Sequence, residues 1–93
     1  MRLTDEDKKL LKEWGYPKSD LNQIEVATSI TKYLYTPKGK KKEKMVCDVT
    51  ARELLGDQEY LSGISRSAFH WTASRETLDG GTIFFDTSAL FRD

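Results

Sequence analysis

Ile64-Ser65-Arg66-Ser67-Ala68-Phe69-His70-Trp71-Thr72-Ala73-Ser74-Arg75-Glu76 carries the strongest local pattern in the chain. Ser65 is a natural N-cap, since its hydroxyl can accept from a backbone N–H of the first helical turn. From Arg66 to Glu76 there is no Pro or Gly, and Leu61, Ile64, Ala68 and Trp71 recur at helical spacing, with Phe69 and Thr72 on the flank. Arg66, His70, Ser74 and Thr77 fall on the opposite side. The pattern predicts a helix over Ser65–Glu76, held to the body by Ala68, Phe69 and Trp71.

Reading onward, Asp79-Gly80-Gly81 is a tight turn, and Thr82-Ile83-Phe84-Phe85-Asp86 is a strand by its β-branched and aromatic content. Thr87–Phe91 predicts a last helical turn that docks Leu90 and Phe91 on the core. Reading backward, Asp48 or Thr50 can cap a short helix over Ala51–Leu55, with Thr50 and Glu53 at capping-box spacing and Gly56 as its stop. Asp57–Leu61 predicts a second helical turn before Ser62-Gly63. Thr31–Thr36 predicts a strand, Pro37-Lys38-Gly39-Lys40 a turn, and Met45-Val46-Cys47 a short returning strand. Lys38–Lys44 then forms the tip of a β-hairpin.

The first third reads as helical. Thr4 and Asp7 stand at capping-box spacing, Leu3, Leu10, Leu11 and Trp14 give a partial apolar stripe, and Gly15-Tyr16-Pro17 makes a turn. Ser19 or Asp20 can cap a second helix, in which Leu21, Ile24, Val26, Ala27 and Ile30 make a broad apolar face. The sequence therefore predicts one small α+β domain over 1–93. Its parts are an N-terminal helical hairpin (3–31), a β-hairpin with a basic tip (32–47), and a helix-turn-helix-like unit with a C-terminal wing strand (48–93).

Composition narrows the chemistry. With 93 residues, 38% hydrophobic and 32% charged, one modest core is feasible. The absence of a long apolar run argues against a membrane span, and the polar start argues against a secretory signal, so the expected address is a reducing cytoplasm. Cys47 has no partner for an internal disulfide, and with His70 alone it makes no metal set. Cys47 reads as core filler in its strand, His70 as a hydrogen-bonding helix residue, and Gly80-Gly81 as a turn and not a phosphate loop. No nucleophile, base and orienting group stand at recognisable spacing. The expectation is a non-enzyme without cofactor or metal. Fifteen basic and fifteen acidic residues cancel only in the sum: Lys32–Lys44 holds six lysines against Glu43, whereas residues 45–93 carry a net −4.

Thr50-Ala51-Arg52-Glu53-Leu54-Leu55-Gly56 resembles the first helix of the helix-turn-helix in excisionase-type and related winged-helix DNA-binding proteins. Gly63-Ile64-Ser65-Arg66-Ser67-Ala68-Phe69 resembles the turn and start of their recognition helix, and Gly80–Leu90 the wing strand and closing turn. The resemblance covers somewhat under half the chain. It implies a partner in double-stranded DNA and a role as a regulatory or mobile-element accessory factor. In that arrangement Ser65, Arg66, Ser67, His70 and Ser74 face the bases, Arg66 being the best bidentate partner for guanine, and Arg75 meets the backbone. Lys38, Lys40, Lys41, Lys42 and Lys44 would track phosphates as a second contact.

A different class of function fits the same charge pattern. A neutral domain with a basic finger and an acidic remainder could dock on an acidic protein surface, by analogy with small phage or plasmid regulators that inhibit host defence proteins. Homodimerisation through the helices of 3–31 is a further expectation. Trp14, Tyr16 and Trp71 read as core or half-buried packing, with stacking on bases as the other use of such rings.

Overall fold

Thr4 and Asp7 form the full capping box: each side chain accepts from the other's backbone N–H at 3.1 Å, opening helix α1 (Asp5–Glu13). Gly15, at φ 100°, turns the chain into α2 (Lys18–Ile30), and strands β1 (Lys32–Thr36) and β2 (Lys44–Val46) follow. Gly56, at φ 85°, separates α3 (Asp48–Leu55) from α4 (Asp57–His70). Strands β3 (Thr72–Glu76) and β4 (Thr82–Asp86) and a 3₁₀ turn at Ser88–Phe91 complete the fold. This computed structural model describes residues 3–91, so the outer ends of the ranges 1–93 and 48–93 lie outside the described residues.

The four strands form one antiparallel sheet in the order β2-β1-β4-β3. Alternation along the strands sends Tyr33, Tyr35, Ala73, Ile83 and Phe85 inward, where all are buried with Leu11, Ile24, Leu55, Tyr60 and Ile64 of the helices in one core. The outward row runs Met45–Leu34–Phe84–Ser74 across the four strands. Tyr33, Tyr60 and Phe85 pack as an aromatic trio, with Phe85 edge-on to Tyr33 at 5.6 Å, and the Tyr33 and Tyr60 hydroxyls 2.8 Å apart. Helix α4 reaches the sheet so closely because Gly63 has no side chain: a Cβ there would stand 2.4 Å from two Phe85 ring atoms.

The fold class is the one the sequence predicts, and the helical hairpin, basic β-hairpin and 82–86 strand are all present. The helix over Ser65–Glu76 is not. Helix α4 begins eight residues earlier, runs through Gly63 and stops at His70, because Trp71 takes a positive φ of 68° with ψ −47°. Thr87 holds that turn: its N–H and its hydroxyl both donate to the Trp71 carbonyl at 2.7 Å, and the hydroxyl also reaches the Ser67 carbonyl at 2.5 Å. Thr72–Glu76 then pairs residue for residue with β4. Its alternation of Ala73 inward with Thr72, Ser74 and Glu76 outward has period two, and the ladder to a strong neighbouring strand outweighs the weak helical pattern.

Smaller differences have local causes. Ser65 is no N-cap, since it lies mid-helix; α2 is preceded by Pro17 and not by Ser19 or Asp20, and Cys47 occupies the N-cap of α3 in place of Asp48 or Thr50. Cys47 is exposed, beyond the end of β2, and so is not core filler. Val26 (51% exposed) and Trp71 (59%) stand outside the core. Leu90 packs against the core as expected, and Phe91 lies against Trp71 with ring centroids 5.9 Å apart.

Candidate functional site

The lysine-rich segment is a loop at one edge of the sheet. Lys40 N–H donates to the Pro37 carbonyl at 3.1 Å, and Gly39 at φ 76° completes the reversal, as Pro37-Lys38-Gly39-Lys40 predicts. Lys38, Lys40, Lys41, Lys42 and Lys44 are all exposed, and among the described residues none has an ion-pair partner. Lys44 lies 5.7 Å above the Tyr35 ring, and the stem of Lys38 crosses Gly80 of the neighbouring turn. Charge is thereby gathered beyond the sheet, with Glu43 as the single carboxylate in the Lys38–Lys44 segment and no ion pair formed there among the described residues.

The residues expected to face bases separate. Ser65 and Ser67 are buried, and their hydroxyls donate back to the Ser62 and Ile64 carbonyls, each at 3.2 Å. Both point away from solvent because α4 turns that side to the sheet and to α2. Arg66 and His70 are exposed on the outer side of α4, with exposed Glu59 two turns before Arg66 on the same face. Ser74 is exposed on β3, on the far face of the sheet from α4. Arg75 is half-buried and engaged: it donates to Ser62 Oγ at 2.9 Å and to the Ser74 carbonyl at 2.7 Å, with Glu59 3.7 Å away. The resemblance gives Arg75 a backbone contact and no link to Glu59. Their pairing becomes visible only when β3 folds back along α4.

Arg66, His70 and Arg75 do converge, in a groove of about 340 Å³ between the α1–α2 turn and α4. Trp14, Tyr16 and Phe69 supply its aromatic wall. Tyr16 lies nearly parallel to Phe69 (centroids 6.3 Å, planes 11° apart), and Trp14, the C-cap of α1, is 38% exposed. The groove combines aromatic faces with the guanidinium of Arg66, which has no ion-pair partner among the described residues. It sits beside edge strand β3, whereas the lysine loop joins β1 to β2, on the other side of β4.

The turn nearest the lysine loop is rigid for its own reasons. Asp79 accepts from the Thr77 and Tyr35 hydroxyls and from the Gly81 N–H at 3.2 Å. The Thr77 bond, then those of Tyr35 and Gly81, hold its carboxyl below the usual carboxylate range, and the same carboxylate pushes the Tyr35 hydroxyl up. Thr77-x-Asp79-Gly80-Gly81 is an Asx-type turn signature that a sequence reading could have used. The larger cleft, between α3 and α4, holds Asp48, Glu53 and Asp57 with Arg52. Arg52 is committed there to Asp7 (3.1 Å), to Asp57 (3.9 Å) and to the Tyr60 ring (4.6 Å).

Among the described residues no three His, Cys, Asp or Glu side chains gather as a metal set, and no helix is long and apolar enough to cross a membrane. No protein-family model, curated protein or solved structure matches the chain.

Proposed function

We propose that the protein binds nucleic acid, with the lysine loop as its main phosphate contact. The observation that carries this reading is the set of five exposed lysines, Lys38, Lys40, Lys41, Lys42 and Lys44, without acidic partners among the described residues. Uncompensated cations release counterions from a phosphate backbone when they bind it, which gives affinity without sequence preference. Arg66 and His70 add a second, smaller cationic patch. Laying α4 in a major groove is the poorer mechanism. Two of its five base-facing candidates, Ser65 and Ser67, are buried, and the first turn that would lead the way carries Asp57 and Glu59.

Fluorescence anisotropy with a labelled oligonucleotide at about 50 mM salt tests the reading, the salt dependence being the signature. Replacing Lys40, Lys41 and Lys42 together by Ala should flatten the slope of log K against log salt by about 2 to 3. No binding at tens-of-micromolar protein would refute it.

One observation favours a second reading, a module that docks on an acidic protein. The outward face of the sheet is uncovered, and its Met45 (66% exposed), Leu34 and Phe84 form an apolar row beside the lysine loop. Opposed charge there would speed encounter and set orientation. Met45→Gln, which removes apolar surface without adding charge, should leave nucleic-acid affinity unchanged and weaken such a partner.

A further inference from the structure

Resting on the nucleic-acid reading, we infer that the Trp14–Arg66 groove takes an unpaired nucleotide, so that the preferred ligand is a single strand and not a duplex. The groove offers two things side by side: the exposed part of Trp14 with the Tyr16–Phe69 pair behind it, and a cationic rim. Arg75 is already engaged by Ser62, Ser74 and Glu59, so it shapes the wall. Arg66 has no ion-pair partner among the described residues and is the group available to a phosphate, with His70 one turn further along α4.

A planar π-face next to a free guanidinium matches a base attached to its phosphate. Stacking of this kind is indifferent to sequence, because every base has a π-face. In a duplex those faces are already stacked on one another, and an aromatic side chain in a groove cannot reach them. The same helix surface also disfavours a duplex electrostatically, since exposed Glu59, two turns before Arg66 on the same face of α4, would meet its phosphates along with Arg66. Single strands, which can bend into the groove and present one base at a time, avoid both difficulties.

The test uses the full chain carrying Trp71→Phe, which leaves Trp14 as the single tryptophan, since the sequence has two. This protein is titrated with a single-stranded oligonucleotide, with the same sequence as a duplex, and with inorganic polyphosphate. The expected result is quenching of Trp14 by the single strand alone, with single-strand affinity at least about tenfold above that for the duplex, the effect of one stacked base. Trp14→Ala, read by anisotropy, should lower single-strand affinity about tenfold and leave polyphosphate affinity within about twofold, whereas Trp14→Phe restores most of the loss. Arg66→Gln, at an exposed position that folding does not need, should weaken the single strand and keep the Trp14 spectrum of the free protein.

Equal or tighter duplex binding without Trp14 quenching overturns the inference and leaves the lysine-loop reading standing. Quenching that survives in Arg66→Gln with unchanged affinity also overturns it. Failure of all three ligands to bind overturns the parent reading as well, and leaves the acidic-protein partner as the surviving alternative.

Discussion

Gly63→Ala separates two accounts of residues 61–65 and carries a definite magnitude. In an ordinary helix interior, Ala in place of Gly stabilises by about 1 kcal/mol. Here the new methyl would stand 2.4 Å from Cε1 and Cζ of Phe85 and 3.1 Å from Cδ1, where carbon atoms normally keep about 3.5–4.0 Å. Phe85 cannot retreat freely, because it is fully buried between Tyr33 and Tyr60. Overpacking of this severity belongs at the upper end of the usual range, about 3 kcal/mol. Subtracting the helix-propensity gain leaves a net loss of about 2 kcal/mol. For a chain of this size that lowers the melting temperature by about 8–16 °C. Urea unfolding followed by far-UV circular dichroism gives the number directly. The double variant Gly63→Ala/Phe85→Leu supplies the internal control: leucine lacks the two ring atoms that clash, so the two losses should sum to more than the double variant shows. A neutral or stabilised Gly63→Ala would mean that residue 63 faces solvent or a turn. The close seating of α4 on β4, and with it the burial of Ser65 and Ser67, would then be wrong.

Thr87→Val keeps the shape of a fully buried side chain but removes the hydroxyl that serves the Ser67 and Trp71 carbonyls, so urea titration should show a loss of about 1–3 kcal/mol. Asp79 is held below its ordinary value by Thr77, Tyr35 and Gly81, so the unfolded chain takes up its proton first as acid is added. Its contribution is therefore complete above about pH 4 and lost as pH falls through the folded value; Asp79→Asn should flatten the acid limb of a plot of urea midpoint against pH. The Cys47 thiol is exposed and its pKa lowered, chiefly by the Thr50 hydroxyl and then by the Thr50 N–H. Its alkylation by iodoacetamide should show a pH midpoint below that of a free cysteine, and Thr50→Val should move the midpoint up.

Local signals were legible where one residue type decides one geometry. The Thr4/Asp7 box, Gly15, Gly39, Gly56 and the Asp79-Gly80 turn each fall where their side chains or positive φ require. Residues 72–76 were not legible, because Thr-Ala-Ser-Arg-Glu has neither the aliphatic content of a strand nor a disqualifying residue for a helix. Only the β4 ladder decides its conformation, and that ladder is a long-range partner. The end of α4 was hidden for a related reason: Trp71 is a poor residue for a positive φ, and the clamp that makes it tolerable comes from Thr87, sixteen residues on. Gly63 reads as part of the turn ahead of the 65–76 helix, although it is a contact. The same letter signals either, and the ring of Phe85 is what distinguishes them. The lysine loop survived translation into structure because its reading rested on composition and on a turn, both local. The helix face did not, because it needed the correct ends of α4.

The separation of the two cationic patches has a physical consequence for how this neutral chain can bind a polyanion at all. The lysine loop joins β1 to β2 and the groove lies beside β3, so two to three inter-strand steps of about 4.8 Å set them about 10–14 Å apart, at or beyond the screening length of about 8–10 Å at ordinary ionic strength. Each patch therefore strengthens the field of the other only weakly, and of the acidic residues in the second half it is Asp79, in the turn that Lys38 crosses, that offsets part of the lysine loop. A net charge of zero is the sum of regions that scarcely interact. Cooperation between the patches has to come through a ligand long and flexible enough to touch both, by raising the local concentration of its second half once the first is bound. A rigid duplex lying on one edge leaves the other patch idle, whereas a single strand can bend around the sheet. Charge placement and the aromatic groove thus favour the same kind of ligand for independent reasons, one electrostatic and one steric.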